Sequence, residues 1–398
     1  MEKKDMGFDF DKVIDRKNTG CVKHDLVKAN GYPEDVLPMW VADMDFQAPP
    51  CVLEALGRSV EHGIFGYSFP TEDYQQAVCN WFRKRFAWEV EADWIVPVSG
   101  VVFAVSTAVR VMSQPGDGVL VQTPVYYPFF DAIRQNGRKL VTSELRYENG
   151  RYSVDFVDLE RKIREENVKL LILCSPHNPI CRVWTREELQ ALGAICKRYG
   201  VKVIADEIHC DFVLPGYRHT PFVQACPELT EDTIICTAPS KTFNLAGLHT
   251  SNILIPGQAL RDAYRAELNR IHCGSPNCLG LVACQAAYEG GEEWLEACKA
   301  YMLENLNYVR AFLAQKLPQI RLVEPEGTYF AWLDCTQLGL TKEELDTLMI
   351  QKAKLWLDTG SIFGESAALF QRVVLACPKA VVVEAMDNLK AAVDGCSL

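Results

Sequence analysis

The sequence lacks an excess of basic residues. Its 41 lysines and arginines are outnumbered by 52 aspartates and glutamates, which gives a formal net charge of −11. Nucleic acids and anionic membranes bind mainly to basic surfaces, so this charge argues against both as partners. The chain also lacks apolar runs of membrane-spanning length, and its first residues, MEKKDMGFDFDKVIDRK, lack the apolar core of a secretory signal. These absences predict a cytoplasmic protein with no membrane or nucleic-acid partner.

C-x-x-C pairs are also absent, although the chain contains 16 cysteines. The cysteines are scattered through apolar segments such as LLILCSPH and TIICTAP, which is typical of small, reduced core residues. One grouping suggests zinc and comprises Cys174, His177, Cys181, His209 and Cys210. Cys174 falls inside an apolar strand and Cys210 alternates away from His209, so no metal site is predicted.

The central part of the chain alternates short apolar runs with amphipathic segments, with no internal repeat or low-complexity tract. The runs KLLILCSP and VKVIADEIH are continuous enough to be strands buried on both faces of a parallel sheet. Between them, TREELQALGAICKRYG predicts a helix in which Thr185 and Glu188 form a capping box and Gly200 ends the helix. This βαβ unit predicts an α/β fold with a mainly parallel central sheet.

The pattern changes near YEGGEEW, residues 288–294, which is the one linker candidate. Beyond it we predict a long helix from about Glu296 to Gln315, strands in IRLVEP, TYFAWLDC and VVLAC, and a last helix in PKAVVVEAMDNLKAAV. We therefore divide the chain into three parts: an arm that is also part of the small domain (1–50), a large α/β domain (51–290), and a small α+β domain (291–398).

Residues that carry chemistry follow the predicted strands. Asn178 follows one strand, Asp206 and His209 stand at the end of the next, and Lys241 follows a third. Ligands of open parallel sheets bind at the carboxyl ends of the strands, so these side chains can converge on one crevice. Lys241 is also the only charged residue between positions 233 and 255. A buried, unpaired ammonium is costly, so such a lysine usually changes its pKa or is used chemically.

A candidate phosphate cradle completes the set. Ser99 and Gly100 precede the apolar helix VVFAVSTAVRVM, whose free backbone N–H groups and positive dipole end suit a phosphate. A lysine amine, a strand-end carboxylate, an amide and a phosphate cradle together indicate pyridoxal 5'-phosphate (PLP) chemistry. In that chemistry an anionic Asp206 keeps the pyridine nitrogen protonated, and Lys241, once released by the substrate, removes the α-proton.

Nine segments form a recognisable set: FDFDKVIDRKNTGCVKHD, LPMWVADMDFQAPP, HGIFGYSFP, TPVYYPF, SPHNP, VWTREEL, ADEIH, APSKTFNLAGL and GTYFAWLD. With them the chain resembles the fold-type I PLP-dependent enzymes of the aminotransferase class I/II superfamily, and within it the MalY/PatB-like cystathionine β-lyase branch. The segments cover nearly the whole chain, and ADMDF, DEIH and SKTFN in this order are highly specific. The resemblance implies the type I PLP-dependent transferase fold, in which both termini form the smaller α+β domain.

The resemblance also implies roles at the cofactor ring. Lys241 is the lysine that forms a Schiff base with PLP, and Asp206 is the partner of the pyridine nitrogen. Asn178 hydrogen-bonds the ring hydroxyl oxygen, with His209 nearby on the same side. Tyr126 in TPVYYPF stacks on the cofactor ring.

Further roles are implied at the phosphate and at the substrate. Gly100, Val101 and Ser240 contact the phosphate, and Tyr67 of FGYS reaches it from a partner subunit, which makes the protein a homodimer. Arg372 in LFQRVVLACP aligns with the arginine that holds the substrate's α-carboxylate, a role that suits its bidentate fork.

The substrate half departs from the family pattern. The family's Asn-Pro-x-Gly turn is here NPIC, so Cys181 stands where glycine is usual. If that turn needs a positive φ, the cysteine costs about 1 kcal/mol or shifts the turn. Val374 removes an amide near the carboxylate site, Thr359 replaces a usual proline, and ESAALF lacks the usual glycines. The cofactor is therefore better determined than the substrate.

The leading hypothesis is a β-lyase that cleaves the carbon–sulfur bond of cystathionine or another cysteine S-conjugate, a small sulfur amino acid, giving a thiol, pyruvate and ammonia. Tyr126, or Tyr67 of the partner subunit, could position or protonate the reacting groups. An aminotransferase of a small amino acid is the alternative, since it shares every cofactor residue and the fold does not separate the two. A regulatory binding protein of the MalY type is a third hypothesis, for which no interaction segment is obvious.

Overall fold

A computed structural model of the protein describes residues 7–395. The strands are β1 (Leu37–Pro38), β2 (Ile95–Val98), β3 (Gly118–Thr123), β4 (Lys139–Glu144), β5 (Arg146–Glu148), β6 (Arg151–Ser153), β7 (Val168–Cys174), β8 (Lys202–Asp206), β9 (Thr233–Thr237), β10 (Ser251–Leu254), β11 (Arg321–Val323), β12 (Phe330–Asp334), β13 (Leu355–Trp356), β14 (Asp358–Thr359) and β15 (Phe370–Val374). The helices are α1 (Val22–Asp25), α2 (Pro50–His62), α3 (Glu72–Phe86), α4 (Val101–Met112), α5 (Pro128–Arg134), α6 (Phe156–Glu165), α7 (Arg186–Tyr199), α8 (Phe222–Ala225), α9 (Pro239–Thr242), α10 (Gln258–Arg270), α11 (Cys278–Gly290), α12 (Glu292–Lys316), α13 (Lys342–Thr347) and α14 (Lys379–Asp394). None of these helices is both long enough and apolar enough to cross a membrane.

The largest sheet contains seven strands in the order β2-β10-β9-β8-β7-β3-β4. Strands β9, β8, β7, β3 and β4 pair in parallel, and β10 runs antiparallel to both of its neighbours. Leu171 and Leu173 of β7 contact one apolar cluster, whereas Leu170 and Ile172 contact the cluster on the opposite face. Both faces of the sheet are therefore buried, which confirms the predicted α/β fold with a mainly parallel central sheet.

The predicted βαβ unit is present as β7, α7 and β8. Thr185 caps α7 by accepting a hydrogen bond from the backbone N–H of Glu188, whose carboxylate accepts the backbone N–H of Thr185 in return. Gly200 ends the helix with a φ of 66°, a left-handed conformation that costs glycine nothing. The unit brings the carboxyl ends of two adjacent strands to the same edge of the sheet.

A second, antiparallel sheet, in the order β11-β12-β15-β14, lies in the C-terminal part of the chain. It shares an apolar cluster with α12 and α14 that contains Val309, Leu333 and Leu389. The N-terminal arm joins this part through β1, which pairs in parallel with β13. The mixture of strands and helices matches the predicted α+β pattern, but β15 begins three residues before the predicted strand VVLAC, and β13 and β14 were not predicted. The domain boundaries at residues 50 and 290 stay predictions.

Residues 288–294 are not a linker. Helix α11 runs to Gly290, and α12 begins two residues later. Close packing explains the difference, since a Cβ on Gly291 would lie 2.6 Å from the ring of Phe243. The glycines therefore serve a tight corner between two helices rather than a flexible connection, and the long helix begins earlier than predicted.

Candidate active site

A cavity of about 340 Å³ lies at the carboxyl ends of β7, β8 and β9. Its wall brings together eight of the ten residues that were assigned a role at the cofactor or the substrate, from segments far apart in the chain. They are Gly100, Val101, Tyr126, Asn178, Asp206, His209, Ser240 and Lys241. The convergence expected from their positions after strand ends is present in the structure.

Lys241 lies on α9, the short helix that follows β9, and its side chain faces this cavity. Its Nζ donates a hydrogen bond of 2.8 Å to the backbone carbonyl of Ala42, which also accepts a bond of 2.9 Å from the hydroxyl of Tyr329. Burial lowers the pKa of Lys241 to about 8, although the carboxylates of Asp43 and Asp206 oppose the shift. The lowered pKa makes the neutral, nucleophilic amine accessible near physiological pH.

The carbonyl of Ala42 was missed by sequence reasoning because it is a backbone group. It belongs to the loop ADMDF, whose acidic side chains are bound by the N-terminal arm. Arg16 pairs with Asp43 and Asp45 at 2.6 Å each, and the buried Lys23 pairs with Asp45 at 2.7 Å. The arm therefore fixes this loop and, with it, the carbonyl that orients the lysine.

Asp206 ends β8, and its side chain is buried. Its carboxylate accepts a hydrogen bond of 3.1 Å from the backbone N–H of Ile208. Burial raises the pKa of Asp206 to about 7, the bond from Ile208 opposes the rise, and the neighbouring Glu207 adds to it. Glu207 itself is engaged elsewhere, since it pairs with the buried His219 at 3.0 Å. Asp206 is thus the carboxylate that the cavity offers to a cationic partner.

Asn178, His209 and Tyr126 surround the same space. The Oδ1 of Asn178 accepts a hydrogen bond of 2.8 Å from Arg372, which leaves its amide nitrogen as a donor. Burial, with Lys241 next, lowers the pKa of His209 well below its usual value, so its ring is neutral. Within residues 7–395 the buried Nδ1 of His209 has no hydrogen-bond partner. Burial raises the pKa of the Tyr126 hydroxyl, which therefore stays protonated.

The N-terminus of α4 and the beginning of α9 form another end of the cavity. Gly100 directly precedes α4, and the first backbone N–H groups of a helix have no intrahelical acceptor, so they are free to bind an anion. Ser240 adds a hydroxyl group at this end. His249 also lines the cavity. It was not predicted as a site residue, although it directly follows the APSKTFNLAGL segment.

Arg372 contacts this wall through the amide of Asn178 and is itself buried on β15. Its guanidinium lies 4.5 Å from the ring centre of Phe330 and 5.0 Å from that of Phe363. Its Nη2 donates to the carbonyl of Trp40 at 2.8 Å and forms an ion pair with Asp358. Asp358 was missed because its position opposite Arg372 depends on the register between β14 and β15.

Tyr67 is a predicted residue that lies away from the cavity of its own chain. It lies in the segment between α2 and α3, and its side chain is fully exposed. Ile64, Phe65 and Phe69 of the same segment are exposed as well. A contiguous group of exposed apolar side chains is typical of a surface that another molecule covers.

The NPIC turn keeps the conformation that glycine would favour. Cys181 has a φ of 61°, and its side chain is fully buried. Its backbone carbonyl accepts hydrogen bonds from the N–H groups of Glu326 and Gly327, which tie the turn to the residues before β12. The cysteine therefore does not shift the turn, and the structure holds it in a strained backbone conformation.

The cysteines near this turn have local structural contacts. The sulfur of Cys174 accepts a hydrogen bond of 3.4 Å from the backbone N–H of Asn178. In the part of the chain that the structure describes, no group of three or more His, Cys, Asp or Glu side chains is placed to hold a metal ion.

The chemistry of the cavity fits PLP. A buried carboxylate with one backbone donor can pair with a protonated pyridine nitrogen, and an amine of lowered pKa suits Schiff-base formation. The helix N-terminus suits the phosphate, and the asparagine amide suits the ring hydroxyl oxygen. The buried and unpartnered Nδ1 of His209 is a further polar atom of the wall that a ligand would satisfy.

Comparison with known proteins gives concordant matches. The family described as aminotransferase class I and II matches residues 34–389. Cystathionine beta-lyase PatB of Bacillus subtilis is 41% identical over 383 residues, covering 96% of this chain and 99% of PatB. The structure of cystalysin from Treponema denticola, which contains a PLP cofactor, is 39% identical with a TM-score of 0.94 and covers 97% of this chain and 99% of cystalysin. The PLP-bound C-S lyase of Staphylococcus hominis is 36% identical with a TM-score of 0.91, covering 97% and 98%.

Proposed function

Since the chain belongs to the aminotransferase class I and II family, we propose that it is a PLP-dependent lyase that cleaves the carbon–sulfur bond of cystathionine or a related cysteine S-conjugate. The reaction consumes one water and yields a thiol, pyruvate and ammonium. The observation that carries the proposal is the meeting of Lys241, Asp206 and Asn178 in one cavity. The likeness to a cystathionine beta-lyase over almost the whole chain supports a sulfur-containing substrate.

The residues around the ring each have a task. Bound PLP supplies an electron sink for the electron pair left on the substrate's α-carbon. Asp206 becomes fully anionic beside a cationic partner and holds the proton on the pyridine nitrogen. Asn178 would donate its amide N–H to the ring hydroxyl oxygen, because its own oxygen accepts from Arg372. Gly100, Val101 and Ser240, which line the cavity, would bind the phosphate.

The substrate's reacting groups are handled by a second set of side chains. Arg372 binds the α-carboxylate, and the Lys241 amine takes the proton from the α-carbon. The carbonyl of Ala42 accepts a hydrogen bond from Nζ and so keeps this amine in place. The electron pair then expels the thiolate from the β-carbon, and the protonated hydroxyl of Tyr126 is available to position or protonate the leaving group.

The test is to incubate cofactor-loaded protein with L-cystathionine and to follow thiol and pyruvate together. We expect equal amounts of both, with no product from Lys241→Ala. A keto acid formed from an amino donor and an acceptor, without thiol, would establish the aminotransferase alternative instead. The MalY-type regulatory role stays a prediction, to be checked by partner capture that does not depend on Lys241.

A homodimer is part of the proposal. The exposed Ile64, Phe65, Tyr67 and Phe69 offer an apolar surface that a second copy of the chain would cover. In that dimer Tyr67 of the partner subunit would complete the phosphate site. The exposed apolar surface supports the implied homodimer. In such a dimer Tyr67 would serve the cavity of the neighbouring chain instead of its own.

The shared site can be tested by mixing two inactive variants, Lys241→Ala and Tyr67→Phe. A mixed dimer has one site with both residues intact, so the mixture should regain roughly a quarter of the native activity. Each variant incubated alone is the control. A mixture that stays as inactive as its components, although size measurements show dimers, would refute the shared site.

A further inference from the structure

The counter-ion of Arg372 is set by strand pairing. Asp358 of β14 lies directly opposite Arg372 of β15, so the two side chains project from the same face of the antiparallel sheet. Both are buried, and they form an ion pair. Burying a guanidinium without an anion is costly, so this carboxylate stabilises the arginine while no substrate is present.

The guanidinium has little capacity left for another anion. Its Nη2 donates both of its hydrogens, to the carbonyl of Trp40 and to Asp358, and its Nη1 donates to Asn178. Aromatic rings close to the guanidinium restrict access to its faces. A bidentate carboxylate needs two parallel N–H groups, and each fork of a guanidinium that a carboxylate can grip includes Nη2. An incoming carboxylate must therefore displace a partner of Nη2.

A second buried arginine shows what a permanent pair looks like in this protein. Arg182 pairs with Glu326 at 2.7 Å and also binds Glu188, and Glu326 accepts further bonds from Val183 and Arg151. Every oxygen of that glutamate is used. Among the described residues, by contrast, the side chain of Asp358 has hydrogen bonds with Arg372 only, and the buried Nε of Arg372 has no acceptor.

We propose that Asp358 is an internal competitor for the substrate-carboxylate site, which occupies Arg372 at rest and yields only to a carboxylate that is anchored elsewhere in the cavity. The inference rests on the proposed function, because it assigns Arg372 to the α-carboxylate. An amino acid is also held through its amine at the cofactor, so its carboxylate is presented to Arg372 at high effective concentration. A carboxylate without an amine, including the keto-acid product, lacks this second anchor and is excluded.

Asp358 can also be neutralised by a proton once Arg372 has left it, which is consistent with this role. Burial raises the pKa of Asp358, and Arg372 is the group that opposes the rise. Once Arg372 turns to the substrate, Asp358 can take up a proton from solvent and remain in place as a neutral acid. The exchange therefore leaves no unpaired charge in the protein interior.

The experiment measures binding of acetate and of pyruvate to the cofactor-loaded protein by the shift of its thermal unfolding midpoint. Asp358→Asn keeps the shape of the side chain and removes the competing charge. We expect the variant to unfold at a lower temperature without ligand and to bind both anions about tenfold more tightly than the native protein does. Asp358→Thr, which suits a strand, serves the same purpose if the asparagine variant does not fold.

Glu326→Gln is the matched control, because it also breaks a buried arginine–carboxylate pair. It should lower the unfolding midpoint and leave the affinity for acetate unchanged. Unchanged or weaker acetate binding by Asp358→Asn would show that Asp358 supports Arg372 instead of competing for it. An equal gain in acetate affinity in Glu326→Gln would mean that breaking any buried ion pair has this effect through lower stability of the protein, and it would also overturn the inference.

The outcome is separable from that of the lyase assay. Tighter acetate binding without thiol formation would leave the role of Asp358 intact and refute the lyase. Formation of thiol and pyruvate, with acetate binding unchanged in Asp358→Asn, would support the lyase and refute the role of Asp358.

Discussion

The cofactor side and the carboxylate side of the site treat buried charge in opposite ways. Within residues 7–395, Lys241 and Asp206 are each hydrogen-bonded to a single backbone group, and both have pKa values shifted by burial towards their neutral forms. Arg372 instead has three hydrogen-bond acceptors and two neighbouring rings. The cofactor side is thus left for an external group to complete, whereas on the carboxylate side the charge of Arg372 is already paired with Asp358 and a ligand has to compete for it.

This comparison predicts that catalysis is more sensitive to loss of a charge on the cofactor side than on the carboxylate side. Asp206→Asn keeps the size of the side chain but cannot hold the proton on the pyridine nitrogen. We expect kcat for pyruvate formation to fall on the order of 10⁴-fold with PLP at saturation. The measurement is the rate of pyruvate release from L-cystathionine.

Glu207→Gln is the natural control for that variant. It neutralises an adjacent buried carboxylate that pairs with His219 away from the cavity. Its kcat should stay within about threefold of the native value, with some loss of stability. If both variants lost activity equally, the special position of Asp206 would be disproved.

A second prediction concerns the stability of the cofactor-free protein, in which the buried Asp206 and Lys241 lack the cofactor as a partner. Their shifted pKa values should make the free energy of unfolding depend on pH. An unfolded aspartate titrates at about 3.9, whereas burial raises the pKa of Asp206 to about 7. Between these values the native protein holds a proton that the unfolded chain has released. The free energy of unfolding should therefore decrease by roughly 4 kcal/mol as pH rises from about 4 to about 7.

Urea unfolding of the cofactor-free protein between pH 4 and pH 10 would show this effect, and the difference between native protein and Asp206→Asn isolates it. Lys241 acts with the opposite sign. Its native pKa of about 8 lies below that of an unfolded lysine, so its contribution makes the protein more stable as pH rises above 8. A native protein whose stability runs parallel to that of Asp206→Asn from pH 4 to pH 7 would contradict the buried, protonated aspartate.

The two sides also differ in how far they could be predicted. The positions of Asn178, Asp206 and Lys241 follow from local sequence, because each lies at the end of a buried parallel strand or a few residues beyond it, and such strands end at a common edge. The partner of Arg372 does not follow in this way. It depends on which residues of β14 and β15 face each other, and register is a property of the folded sheet.

Two other features escaped the sequence for related reasons. The acceptor of the Lys241 ammonium is the backbone carbonyl of Ala42, and a carbonyl is present at every position. The glycines of YEGGEEW suggested a linker, but Gly291 serves the close approach of a helix corner to Phe243. Glycine is compatible with both flexibility and tight packing, so composition alone does not distinguish them.

A third prediction tests the carboxylate side. Arg372→Lys retains the charge but loses the planar fork and the stacking against Phe330 and Phe363. We expect KM for L-cystathionine to rise about 100-fold, with the affinity for PLP nearly unchanged. Arg182→Lys is the control, since it weakens a buried ion pair outside the cavity and should leave KM as it is. A loss of PLP affinity in Arg372→Lys would show that the two sides are not separable.

The smallest expected effect concerns the turn that links the two sides. Cys181 has a φ of 61°, and Cys196 is a buried residue of α7, so glycine should have opposite consequences at these positions. At each position the glycine variant is compared with the alanine variant. Both lack the sulfur, so the difference between their free energies of unfolding reports on the backbone conformation. At position 181 the glycine variant should be the more stable by about 1 kcal/mol, because alanine is strained at positive φ. At position 196 it should be less stable by about 1 kcal/mol, because glycine weakens a helix. Urea unfolding measures both differences, and the same sign at both positions would mean that the turn relaxes freely around the cysteine.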